Sequence, residues 1–167
     1  MPAVPTIATG GRLTPARLMF MQRRPVAILR QGVAQAISNG GNFTPVTLDL
    51  EIEDTDPDGI GGHSGSSSRY TCRYPGVYLL GGGVGFAPNA TGARGVGWLI
   101  NGTVLDDVML PAVTTASTAS RIAARTTQVR LAEGDYVELG AFQNSGGSLN
   151  TSLGSAASSM HVTWVRL

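Results

Sequence analysis

The chain has 167 residues, 23 of them Gly and 9 Pro, and only 14% are charged. One domain fills that length, and 42% hydrophobic residues suffices for a core, which excludes a disordered chain. The charges nearly cancel at a formal +1, which removes the electrostatic case for nucleic acid or an anionic membrane surface, and Gly at this density excludes a long helical bundle.

Residues 1–12 carry Pro2, Pro5, Gly10 and Gly11 without periodicity and predict an extended arm. Thr14 and Pro15 then supply an N-cap and a first-turn proline, and Pro25 stops the segment, so 14–24 predicts one short helix. Leu18, Met19, Phe20 and Met21 give it an apolar face, and Arg23 and Arg24 sit where the helix dipole favours cations. A helix this short is not stable alone and must dock on something. From Pro25 onward the period changes to two. Val26–Arg30 and Val33–Ile37 read as strands, Asn39–Asn42 as a loop, and Val46–Ile52 as a half-buried strand with Val46, Leu48, Leu50 and Ile52 on one face. Residues 54–67 read as a polar loop, Ser68–Tyr74 and Val77–Ala87 as strands, the second containing a Gly run at 81–83 that implies close backbone approach or curvature. Arg94–Ile100 and Thr103–Leu110 flank Asn101-Gly102, a two-residue hairpin signal. Residues 112–120 read as a loop. Arg121–Leu131, Tyr136–Gln143 and Ser159–Leu167 complete the set, the last with Met160, Val162 and Trp164 on one face. About ten short strands at this spacing predict an all-β antiparallel sandwich or barrel.

Few residues invite chemistry. Asp54, Asp56 and Asp58 precede Gly59 in a D-x-D-x-D-G pattern, a calcium candidate because alternating carboxylates can supply the oxygens the ion needs. The twelfth position of such a loop is Gly65 rather than Glu, and an ordinary acidic surface loop is the competing reading. His63, His161 and Cys72 are too scattered for a metal site, no nucleophile elbow or phosphate loop occurs, and no cofactor is expected. Cys72 lies in a strand and reads as a packed thiol. The expectation is a protein without catalysis. Tyr136, Val137, Leu139, Ala141 and Phe142 place apolar side chains on both faces of one strand, which must then be covered twice. No stretch reaches membrane-span length, and the first residues lack the pattern of a signal peptide, so the protein is expected to be made in the cytoplasm, without membrane insertion, and to reach any place outside a cell by a route other than secretion.

The order of Pro75-Gly76-Val77-Tyr78, Trp98-Leu99-Ile100-Asn101-Gly102-Thr103, Leu131-Ala132-Glu133-Gly134-Asp135-Tyr136-Val137-Glu138-Leu139 and a terminal aromatic strand resembles the C1q/tumour-necrosis-factor-like jelly roll, over roughly 25–167. Residues 11–18, Arg24-Pro25, Glu53–Asp56 and Phe86–Gly92 resemble minor tail proteins of actinobacterial tailed phages. These resemblances imply a homotrimeric jelly roll on a virion, with no catalysis. They imply a subunit interface containing Tyr136, Val137, Leu139 and Phe142. Residues 1–24 would be the attachment segment, with Leu13, Leu18, Phe20, Met21, Arg23 and Arg24 meeting tail or capsid proteins, and 25–167 the jelly-roll domain. Polar loops of small residues suit a host-surface glycan. A capsid decoration protein and a bacterial surface or carbohydrate-binding module are the alternatives.

Overall fold

The computed structural model describes residues 11–65, 67–105, 110–112 and 118–167. The arm expected at 1–12 falls mostly outside them. Helix α1 spans Pro15–Gln22, and Thr14 caps it: its Oγ1 accepts the Arg17 N–H at 3.3 Å.

Two antiparallel sheets pack face to face. The first has five strands in the order β10 (Ser120–Leu131), β6 (Gly76–Phe86), β13 (Ser159–Arg166), β1 (Val26–Arg30), β4 (Leu50–Thr55). The second runs β3 (Gly40–Pro45), β11 (Tyr136–Gln143), β7 (Arg94–Ile100), β8 (Thr103–Val104), with β5 (Arg69–Thr71) also pairing β11 and β9 (Leu110–Ala112) also pairing β7. Short strands β2 (Ala36–Ile37) and β12 (Leu149–Asn150) pair with each other. This is an antiparallel jelly roll.

The core lies between the sheets. Ala27 and Leu29 of β1, Met160, Val162 and Trp164 of β13, and Tyr78 and Leu80 of β6 face Val96 and Trp98 of β7 and Val137, Leu139 and Ala141 of β11. The Trp98 Nε1–H crosses the sandwich to donate to the Arg125 carbonyl of β10 at 2.8 Å, satisfying a buried indole. Asn101 (φ 51°) and Gly102 (φ 78°) both occupy the left-handed region between β7 and β8, as a primed hairpin turn requires.

Three sequence readings are corrected. The 39–42 loop is largely strand: β3 starts at Gly40, and its glycines concealed it. Only Ala36–Ile37 of the second expected strand pairs. Val46–Ile52 is not one strand with one buried face. Val46 and Leu48 are fully buried, whereas Leu50 and Ile52 are 45% and 62% exposed. The reason is a change of sheet. Strand β3 pairs with β11 in the second sheet and β4 with β1 in the first, so residues 46–49 cross from one layer to the other. The Val46 N–H still reaches the Leu139 carbonyl of β11, at 2.8 Å.

Candidate assembly surface

The outer face of the five-stranded sheet follows from strand alternation. Each residue that points inward leaves its neighbours pointing out. Strand β13 sends Met160, Val162 and Trp164 to the core and Ser159, His161 and Thr163 outward. Strand β1 buries Ala27 and Leu29 and turns Val26, Ile28 and Arg30 out. Strand β6 contributes Leu79, 38% exposed, and the glycine run. In register, Gly81, His161, Ile28 and Glu53 lie side by side across β6, β13, β1 and β4. A bulge between Ile28 and Leu29 in the β1–β4 pairing frees Ile52 to project outward.

The glycines make this face hollow. A Cβ on Gly81 would find nothing nearer than Thr126 Oγ1 at 4.0 Å, so the position opens onto space. A Cβ on Gly83 would lie 3.1 Å from Arg121 Nε, because the Arg121 side chain lies across β6 to donate from Nη2 to Ser159 Oγ at 2.5 Å. Two grooves adjoin on this face, the first floored by glycines. One, of about 390 Å³, is bounded by Gly81, Gly82, Arg121, Ala123 and His161. The other, of about 300 Å³, is reached by Arg30, Arg121, His161, Ile28, Ile52 and Ser159.

Strand β11 is placed differently from the expectation. Val137 and Leu139 have no accessible surface in the protomer, so neither can contact another subunit. The second cover that β11 needs comes from its own chain. Glu138, 2% exposed, accepts Arg69 Nε at 3.1 Å and Ser68 Oγ at 2.7 Å; the Arg69 guanidinium lies 4.1 Å from the Tyr136 ring centre; and the Phe43 and Phe142 rings are 6.0 Å apart. Tyr136 and Phe142 remain half-buried.

Helix α1 is anchored by one residue. Phe20 is buried, edge-on to Trp164 at 4.9 Å and 88°, and 5.5 Å from Tyr74. It packs on its own domain and, at 6% exposure, offers an external partner almost nothing. Arg24 sits 5.8 Å from the Trp164 ring and is exposed, as is Arg23. Leu18, Met19 and Met21 of the helix and Leu13 just before its cap are 43–58% exposed.

The three aspartates do not converge. Asp54 accepts the N–H groups of Gly62 (3.0 Å) and His63 (2.7 Å). Asp58 takes both Nη atoms of Arg73 at 2.6 Å, and Arg73 also binds Asp56. Arg73 holds the Asp58 carboxyl well below the usual range, while burial raises those of Asp54 and Asp56. With its oxygens committed to an arginine and to loop amides, this segment acts as a structural clasp, and the aspartates of the D-x-D-x-D-G pattern are already partnered within the chain. Among the described residues no group of three or more His, Cys, Asp or Glu is arranged to hold a metal. Cys72 is buried, contacts the Tyr74 carbonyl and Tyr78 hydroxyl, and burial pushes its thiol up to about 11.

The outer face is hidden from the sequence because strict alternation groups Leu50 and Ile52 with the buried Val46 and Leu48. The signal was present in the glycine run and in His161, which alternates against Met160 and Val162.

No protein-family model and no curated protein matches the chain. Solved structures do. The globular domain of zebrafish complement 1qA protein aligns with a TM-score of 0.59 at 13% identity, over 86% of this chain and 100% of that one. Murine APRIL aligns at 0.55 and 14%, over 86% and 100%. Eiger TNF from S. frugiperda aligns at 0.56 and 11%, over 85% and 94%. At such identities the likeness is one of fold, and the fold is a C1q/TNF-like jelly roll.

Proposed function

We propose that this chain is a non-enzymatic structural protein whose copies assemble as a homotrimer through the outer face of the five-stranded sheet. The observation that carries the reading is the apolar exposure of that face: Leu79 on β6 and Leu50 and Ile52 on β4 are 38–62% exposed, where an outward sheet face is ordinarily polar. The fold supports a closed ring of three, since C1q/TNF-like domains are typically trimeric and carry no catalysis.

We further propose that the trimer belongs to a tailed-phage virion as a minor tail protein. The sequence resemblance of residues 11–18, 24–25, 53–56 and 86–92 supports this, and Leu13, Leu18 and Met21 supply an exposed apolar patch that another virion protein could cover. Two experiments test the reading. Light scattering behind size-exclusion gives the mass of the assembly; a monomer refutes the trimer. Mass spectrometry of purified particles, with Leu13→Asp, Leu18→Asp and Met21→Asp combined, tests attachment. The wild-type chain should be found with the tail and the triple variant should be lost. Absence of the wild-type chain from particles refutes the virion role, and its presence in tailless heads assigns it to the capsid instead.

A further inference from the structure

We infer that the smaller groove on the outer face of the five-stranded sheet binds a tetrahedral oxyanion, a phosphate or sulfate group. Three basic side chains from three strands reach it: Arg30 of β1, Arg121 of β10 and His161 of β13. Ser155 and Ser159 add hydroxyls, and no Asp or Glu lines the groove among the described residues.

Both guanidiniums are held in place without being neutralised. Arg30 donates from Nη2 to the Gly154 carbonyl, and Arg121 from Nη2 to Ser159 Oγ at 2.5 Å. The two anchors lie at either end of the 154–159 segment, which fixes the arginines from opposite sides. A guanidinium has five N–H donors, and each anchor uses one of them. Neither arginine forms an ion pair among the described residues. The two tethered guanidiniums face a space of about 300 Å³, and Glu53, the carboxylate in register with Ile28, is not among its lining residues. Charge-assisted bonds from a pre-positioned guanidinium are the strong kind, and preorganisation lowers the cost of using them. The donors approach from different strands rather than as one planar fork. That arrangement suits a tetrahedral group, whose oxygens point in several directions, better than a carboxylate.

All three groups belong to one chain, so the site is complete in a single copy. If copies do cover it, the anion also removes the repulsion of burying these cations together. The group could arrive as the free ion or as a substituent on a sugar.

Isothermal titration calorimetry at constant ionic strength tests the site on the full chain. The probes are inorganic phosphate, sulfate and a hexose phosphate, with the uncharged hexose as control. Saturable binding of phosphate and sulfate is expected, weakened about tenfold or more by Arg30→Gln and by Arg121→Gln. Arg130→Gln, on β10 outside the groove, should bind like wild type. Tighter binding of the hexose phosphate than of phosphate identifies the group as one carried on a sugar; equal binding identifies the free ion. Absence of saturable binding, or unchanged affinity in both groove variants with intact melting curves, overturns the inference. Light scattering on the same samples reports assembly separately, so a monomer that binds phosphate refutes the trimer alone.

Discussion

Replacing Gly81 by Trp separates the fold of the protomer from its assembly. Within one chain the site is open: an added Cβ has Thr126 Oγ1 at 4.0 Å as its nearest neighbour, and the adjoining groove of about 390 Å³ accommodates an indole. Removing a mid-strand glycine should favour the folded protomer by about 0.5–1 kcal/mol. A second copy seated on the face would need the same space. Overpacking costs about 1–3 kcal/mol per site, hence about 3–9 kcal/mol for a three-fold assembly, or about two to six powers of ten in the association constant. Size-exclusion with light scattering should give a trimer for wild type and a monomer for Gly81→Trp, and near-UV circular dichroism should show retained tertiary packing. Gly82→Ala is the contrasting control. Its Cβ would lie 2.4 Å from the Ser159 carbonyl oxygen, so it should lower protomer stability by about 1–3 kcal/mol. A Gly81→Trp variant that keeps the wild-type mass on dilution would refute the assignment of this face.

Phe20→Ala removes the only buried side chain of α1 and should cost about 3 kcal/mol, with loss of helical circular dichroism and a red shift of Trp164 emission. Arg73→Ala leaves Asp56, nearly fully buried, without its cation and should destabilise by about 2–3 kcal/mol in urea titrations. The Asp58 carboxyl is depressed in the folded state, so its stabilising effect is complete above the unfolded value near about pH 4 and fades as pH falls through the lower folded value. The stability gap between wild type and Asp58→Asn, measured in urea, should therefore be largest at neutral pH and shrink below about pH 4. Cys72, with a thiol raised to about 11, is ~0.1% thiolate at pH 8 and should resist a thiol reagent until the protein is unfolded.

The strands that read clearly were those whose local pattern and tertiary role agree. Arg94–Ile100, Tyr136–Gln143 and the Asn101-Gly102 hairpin were legible because turn chemistry and hydrophobic runs are local signals. Strand β3 was not, since Gly40 and Gly41 carry a loop composition while pairing with β11 overrides it. The alternation at 46–52 misled for a different reason. Period two reports which residues share a face of one continuous strand, and this segment changes sheets midway. The same error hid the candidate surface, because Leu50 and Ile52 appeared to be core. The interface reading of β11 was right that two covers are needed, but sequence could not show that Arg69, Ser68 and Phe43 lie close enough to supply one of them.

Strand β13 lies in the middle of its sheet, between β6 and β1. Residues 26–30 therefore have no partner on that side until residues 159–166 have left the ribosome, more than a hundred positions later. A chain broken off before β13 has neither the strand that joins the two halves of the sheet nor His161 and Ser159 on its surface. Copies that end before β13 therefore cannot join β6 to β1, and the first sheet stays in two separate pieces.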